Sequence, residues 1–214
     1  MGEVREFWRQ WHRGYDDPGS TLSWRLSQVR CLVSGSLDEL EGPVRLLSVC
    51  AGDGRDVLGV LEERPDADRV SATLLELDPV LAERARARAA AGGFGVDVRT
   101  VDAGVTDAYA GAVPADLVLL VGIFGNISAE DIRRTVAAVP ALAAPGARVL
   151  WSRGRSLADD DPTDRIRGWF ADEGCTELDF VTLERGHRPS LGLARFDGEP
   201  RSLVPGGRLF TFVR

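Results

Sequence analysis

From Val44 onward the chain alternates between two kinds of segment, and this constrains the fold more than any other feature. The stretches "VRLLSV" (44–49), "VSATLLEL" (70–77), "VDVRTV" (96–101), "DLVLLVGIF" (116–124) and "ARVLWSR" (147–153) are short, apolar and β-rich. Between and after them, "RDVLGVLEER" (55–64), "DPVLAERARARAAAG" (78–92), "SAEDIRRTVAAVPAL" (128–142) and "PTDRIRGWFADEG" (162–174) place apolar residues at helical spacing. Asp78 reads as an N-cap with Pro79 at the first helical position, and Gly92 and Gly93 end that helix. The unbroken apolar run 116–124 predicts a strand covered on both faces. Strand followed by helix, repeated, predicts a doubly wound α/β fold with a mostly parallel sheet between helical layers. Right-handed crossovers then bring the C-terminal strand ends to one edge, where open α/β sheets bind ligands. The tail differs. "TELDFVTL" (176–183), "LGLARF" (191–196) and "RLFTFV" (208–213) are strand-like, with connections too short for crossover helices. At least one of them must run antiparallel.

Residues 1–43 read as two helices around the turn "YDDPGS" (15–20), carrying Trp8, Trp11 and Trp24. They form a helical layer on the sheet domain, a lid over the ligand edge, or both. The 214 residues are read as one domain, with a cap over 1–43 and an α/β core over 44–214. Every one of the 26 basic residues is arginine and the net charge is −7, which disfavours nucleic acid as a partner because phosphate neutralisation supplies that affinity. No run of about 18 apolar residues exists, so no membrane span is expected. The opening "MGEVREFWRQWHRG" lacks the apolar core of a signal peptide. Cys31, Cys50 and Cys175 are scattered without metal-type spacing, and their odd number argues against a disulfide framework. A soluble cytoplasmic protein is the expectation.

The candidate site starts at "LLSVCAGDGRD" (46–56), where a strand runs into a helix. Backbone that must approach a ligand needs small residues, and Cys50, Ala51, Gly52 and Gly54 supply them. The stretch is a poor dinucleotide fingerprint: counted from Gly52, the third glycine position is Val57, which argues against a nicotinamide enzyme. Glu76, followed by Leu77, closes the second strand, where a carboxylate can accept hydrogen bonds from both ribose hydroxyls of a nucleoside. Asp78 is better explained as a helix cap. Asp102, with Ala103 after it, ends the third strand and is placed to accept an exocyclic adenine amine. Gly122 lets a ligand approach the fourth strand end, and Phe124 offers an aromatic face there.

These strand ends, in this order, resemble those of class I S-adenosylmethionine-dependent methyltransferases, in the manner of small actinobacterial members. In that family the first turn is typically acid-x-Gly-x-Gly-x-Gly. Gly52 and Gly54 agree with it, while Ser48 replaces the acid and Cys50 the first glycine. The family's acid after strand two matches Glu76, and its Asp-Ala pair after strand three matches Asp102 and Ala103. Its frequent Gly-Val-Leu-His-His ending lines up with Gly122 to Asn126, where Gly125 and Asn126 replace the histidines. The resemblance implies a Rossmann-like seven-stranded sheet of order 3-2-1-4-5-7-6, with strand seven antiparallel. It also implies adenosylmethionine as cofactor, held by Ser48, Cys50 to Gly52, Gly54, Glu76, Leu77, Asp102, Ala103, Gly122 and Phe124. In the family the first-turn acid organises the glycine loop and faces the methionine amino group; Asp53 or Asp56 are the candidates to replace its charge. Transfer of a methyl group to a small-molecule acceptor is the implied reaction. No insertion suited to a macromolecular acceptor is present, and "VGIFGNIS" lacks the acids of metal-dependent oxygen methylation. No metal is expected. The run "DDD" (159–161) reads as a solvated loop leading into a capped helix.

Methyl transfer is an in-line displacement that asks mainly for alignment and exclusion of water. A base is needed only for a poorly ionised acceptor. His12, Tyr15, Asn126 and His187 are the candidates, each also explained as an ordinary helix, turn, capping or loop residue. Arg25 and Arg30, on the second N-terminal helix, are within reach of a methionine carboxylate or form a solvated face. Two other readings stay open: a different reaction on the same fold, such as aminopropyl transfer or cyclisation, and a non-catalytic module that binds a partner.

Overall fold

The computed structural model describes residues 13–155, 161–184 and 188–213. A 3-10 turn at Arg13–Asp16 leads to helix α1 (Thr21–Glu39). The core then runs β1 (Val44–Val49), α2 (Val57–Glu63), β2 (Val70–Glu76), α3 (Pro79–Gly92), β3 (Val96–Thr100), β4 (Ala115–Leu120), α4 (Ala129–Ala137), α5 (Val139–Leu142), β5 (Ala143–Gly154), α6 (Pro162–Asp172), β6 (Cys175–Thr182) and β7 (Pro189–Phe196). The helix starts are built from side-chain caps, Asp78 as expected. Ser20 accepts from the Ser23 N–H at 3.0 Å, Asp78 from Val80 at 2.8 Å, Ser128 from Asp131 at 3.1 Å and Asp161 from Thr163 at 3.0 Å. Gly93, at φ 67°, stops α3 in the left-handed conformation that lets its N–H reach back to the last carbonyls. Of the "DDD" run, Asp161 is thus a helix cap, while Asp159 and Asp160 lie outside the described residues.

The sheet has the order β3-β2-β1-β4-β5-β7-β6, and β7 runs antiparallel to both neighbours. β1 and β2 stay in register from Val44↔Val70 to Val49↔Leu75, so the parallel strands finish side by side. Alternation along each central strand divides the core in two. Leu46, Leu117 and Leu119 face α1, α2 and α3 with Val29, Val33, Leu58 and Ala85, while Leu47, Val118 and Leu120 face a second cluster with Tyr109, Phe124 and Trp151. Trp151 organises that second layer, stacked on Phe170 at 5.8 Å between centroids and tilted against Phe180 at 6.0 Å. Gly192 on β7 makes room for it: an added Cβ would lie 2.3 Å from the indole.

Three local outcomes differ from the sequence expectation. β4 stops at Leu120 rather than 124, because the chain turns at Gly122 (φ 79°) and folds Ile123 and Phe124 back into the core. The apolar run was a strand plus a buried turn, which periodicity cannot separate. Residues 208–213 form no sheet strand. They make an extended strap across the strand ends, touching them through single bridges at Val105↔Arg208 and Ile127↔Phe212. Finally, β3 connects to β4 through only a 3-10 turn (Thr106–Tyr109), and on that side of the sheet Arg45, Ser71 and Asp97 stay exposed. The first of the two N-terminal helices expected lies outside the described residues, with Trp8 and Trp11. α1 packs on the sheet layer through Val29, Val33 and Leu37. Among the described residues no helix is long and apolar enough to cross a membrane.

Candidate functional site

Where β1 ends, the backbone turns through Cys50 (φ 56°), Gly52 (φ 61°) and Gly54 (φ 68°), three left-handed residues at alternate positions. Ala51 donates to the Leu75 carbonyl at 2.9 Å, which ties the loop to β2. Gly52 donates its N–H to Glu76 Oε2 at 2.7 Å, and Asp78 donates to Oε1 at the same distance. The Glu76 carboxylate is thus clamped by two backbone donors at the tip of β2 and is only 9% exposed. Burial pushes its pKa up, and the two N–H donors oppose that rise. Each oxygen retains a second acceptor direction.

This loop forms one wall of a cavity of about 220 Å³. Its lining includes Cys50, Ala51, Gly52, Glu76, Leu77, Asp102, Ala103 and Gly122, so eight of the expected cofactor residues converge on one space. Asp102 accepts from the Gly104 N–H at 2.8 Å and pairs with Arg208 at 3.2 Å, leaving it partly exposed at the cavity edge. The Cys50 thiol is pushed well up by burial and by the nearby Glu76 and Asp102 carboxylates, so it stays protonated and serves as a small spacer.

Three expected cofactor residues sit elsewhere. Ser48 is 2% exposed and shares the Leu46 face of β1, below the loop and off the cavity. Gly54 serves packing: an added Cβ would come within 2.9 Å of Leu58 and of Leu74. Phe124 is fully buried and tilts against Trp151 at 6.2 Å, so its ring faces core rather than ligand. The base candidates divide too. Tyr15 lines the cavity, with Arg25 donating to its hydroxyl and the Arg55 guanidinium 4.8 Å above its ring. Burial raises the phenol pKa, which keeps it a neutral hydrogen-bonding group. Asn126 uses its amide to donate to the Gly122 carbonyl at 2.8 Å, and its own carbonyl accepts from Val213. It braces the turn after β4 rather than facing an acceptor. His12 and His187 lie outside the described residues.

The two arginines of α1 separate cleanly. Arg25 lines the cavity beside Gly122. Arg30 donates to the Arg55 carbonyl at 2.6 and 3.0 Å and lies against Gly59, bolting α1 to α2. Asp53 and Asp56 both line the cavity: Asp53 pairs with Arg55 at 2.6 Å, while Asp56 caps α2 through the Val57 N–H at 2.8 Å. Burial raises Asp56 above its ordinary value. Sequence reasoning missed the apolar half of the cavity: Leu26 and Val29 from α1, Val121, and Phe210 and Phe212 from the strap. The signal was present in the tail, where alternation sets residues 210 and 212 on one face, but nothing in the sequence said which surface that face would meet. Among the described residues no cluster of His, Cys, Asp or Glu is arranged to hold a metal ion.

No protein-family model matches the chain, and no curated protein sequence matches it either. Solved structures do. Magnesium protoporphyrin IX methyltransferase (ChlM) from Synechocystis PCC 6803, with bound SAM, superposes with a TM-score of 0.68 at 14% identity, over 88% of this chain and 90% of that one. An O-methyltransferase family protein from Burkholderia thailandensis gives 0.63 at 19% identity, over 84% of this chain and 58% of that one. The [4+2]-cyclase SpnF gives 0.56 at 16% identity, over 80% of this chain and 81% of that one. With its strand order, its antiparallel β7 and these likenesses, the chain has the class I adenosylmethionine-dependent methyltransferase fold.

Proposed function

We propose that the protein is a cytoplasmic adenosylmethionine-dependent methyltransferase of a small-molecule acceptor, with residues 1–43 capping a single domain. The observation that carries this reading is the Glu76 carboxylate, held by Gly52 and Asp78 N–H groups at the mouth of a cavity it shares with Asp102. The residues fit such a cofactor. The loop presents bare backbone where a side chain would intrude, and Glu76 keeps acceptor capacity toward a pair of ribose hydroxyls. Asp102 stands at the edge where an adenine amine would lie, and Arg25 supplies a cation for the methionine carboxylate. Asp56, half-buried on the cavity lining, is the carboxyl group that stands in for the acid that Ser48 replaces.

When bound, adenosylmethionine supplies a methyl carbon on a sulfonium, which an acceptor atom displaces in line. The protein's work is alignment and dryness. α1 and the strap shield the strand tips from water, and Tyr15 and Arg25 close the side nearest Gly122. Tyr15 and Cys50 stay protonated, and Glu76 and Asp56 are engaged with backbone donors. With these groups protonated or already accepting backbone hydrogen bonds, the reading favours an acceptor whose reacting atom is nucleophilic on its own.

A second reading keeps the fold and cofactor and changes the reaction, and the likeness to a cyclase supports it. Calorimetric titration with adenosylmethionine and adenosylhomocysteine tests the cofactor site; micromolar binding of both is the expected outcome. Absence of saturable binding at millimolar cofactor would sink both readings and leave a partner-binding module. Appearance of adenosylhomocysteine with an acceptor separates transfer from cyclisation.

A further inference from the structure

The C-terminal strap is fastened along one edge. Leu209 donates to the Gly104 carbonyl at 2.7 Å, Thr211 to Asp131 Oδ2 at 3.1 Å and Val213 to the Asn126 carbonyl at 2.9 Å. With 209, 211 and 213 spent on these bonds, extended-chain alternation sets Phe210 and Phe212 on a common face, and both line the cavity. Their rings meet edge to face, 5.7 Å apart and 89° inclined. Phe210 is 1% exposed and anchors the pair, whereas Phe212 is half-buried and borders open space. Ala103, in the same apolar cluster as Phe210 and Phe212, lines the cavity too, and the Asp102–Arg208 pair stands beside Phe210.

We propose that Phe212, backed by Phe210, is the residue that selects the acceptor, and that the acceptor is a planar, uncharged aromatic molecule. This rests on the methyltransferase reading and deepens it. Phe210 fixes the Phe212 ring edge to face, and a flat π-system meeting that ring gains the offset or edge-to-face contact that aromatic pairs favour. An aliphatic acceptor of the same area gains burial but not that contact. The strap is already held by backbone hydrogen bonds, so little ordering is lost on binding. The strap's charged side chain, Arg208, is paired with Asp102, and a charged acceptor would have to shed its water against the phenyl rings.

The test uses 2-naphthol as probe, read by its own fluorescence, on the full chain with and without saturating adenosylhomocysteine; cyclohexanol serves as the aliphatic control. One naphthol site is expected, weakened roughly 3–10-fold by Phe212→Ala. Phe212→Tyr should retain it and Phe212→Leu should not, although Leu restores most of the volume. Adenosylhomocysteine affinity should stay within about twofold in all three, as expected for a residue that contacts acceptor and leaves the cofactor cradle intact. Naphthol binding that is absent, unchanged in Phe212→Ala, or rescued equally by Leu would overturn the assignment, whatever the cofactor does. Failure of adenosylhomocysteine to bind would instead defeat the methyltransferase reading, and the naphthol series without it would still decide the aromatic site.

Discussion

The cavity is walled by two regions built on different principles. One wall is the row of parallel strand tips: Cys50 to Gly52, Glu76, Asp102 and Gly122. Sheet hydrogen bonds hold it, and its polar groups are satisfied by backbone, as where Gly52 and Asp78 clamp Glu76. The other wall comes from near the two ends of the chain, Tyr15 to Val29 on one side and the strap with Phe210 and Phe212 on the other. That lining is apolar or aromatic apart from Arg25. The strap half of it is fastened by hydrogen bonds to loops rather than to sheet. On the proposed reading, the contrast separates a site for a cofactor with many polar groups from a site for an acceptor recognised by shape. A rigid polar cradle suits a ligand common to many enzymes, and a stapled strap suits the part that must differ between them.

The comparison breaks most readily at Glu76. Glu76→Gln should weaken adenosylhomocysteine binding roughly 10–100-fold, since a hydrogen bond to a charged group is worth about 1.5–3 kcal/mol. An unchanged affinity in calorimetry would mean that the strand-tip wall is not the cofactor's. The pH dependence sharpens this. Burial holds the Glu76 pKa above its ordinary 4.5, so its contribution to stability is present below that value and is lost as pH rises through the raised one. Ligand hydroxyls favour the ionised carboxylate. Binding should therefore weaken as pH falls through the raised pKa in the wild type, and should lose that component in Glu76→Gln. Asp56 is shifted in the same direction, so the difference between the two proteins is the informative quantity.

Gly54 tests whether packing and binding separate within the same wall. Gly54→Ala places a Cβ 2.9 Å from Leu58 and Leu74 at a left-handed residue, and should cost about 1–3 kcal/mol in urea denaturation with little change in cofactor affinity. A large affinity loss at unchanged stability would return Gly54 to the cradle. Asp131→Ala takes an acceptor from the Thr211 N–H and should cost about 1 kcal/mol, seen as faster amide exchange confined to the strap. Uniformly faster exchange would show that the strap is part of the global core. The smallest effect expected is a gain. Cys50→Gly relieves a left-handed φ that costs a non-glycine residue about 1–2 kcal/mol, against glycine's entropy penalty of about 0.5–1. A net rise in stability of about 0.5–1 kcal/mol is anticipated, and a fall would show that the thiol packs better than its backbone strain costs.

The strand-tip wall was legible because each of its residues sits at a fixed place in a local pattern. Glu76 closes an apolar run, Asp102 does the same one strand later, and Cys50 to Gly52 follow a strand and precede a capped helix. Local pattern also misled. Ser48 aligned with an acid in the first turn, but strand parity turns its side chain away from the cavity. Phe124 ended an apolar run yet folded back onto Trp151, because a buried turn and a buried strand have the same composition. Asn126, a candidate for an acceptor contact or a helix cap, became a brace for the loop beneath the strap.

By itself the sequence determined the alternation, the capped helices, the antiparallel character of the tail and the polar half of the site. These follow from period-two and period-3.6 burial and from turn chemistry, which act over a few residues. Only the tertiary structure decided that "RLFTFV" leaves the sheet to cross the strand ends, that Arg25 faces the cavity while Arg30 bolts two helices, and that Phe210 and Phe212 complete a pocket begun at Tyr15. Those contacts join residues nearly two hundred positions apart. Their partners are chosen by which surfaces remain uncovered once the sheet has formed, and no local period encodes that choice.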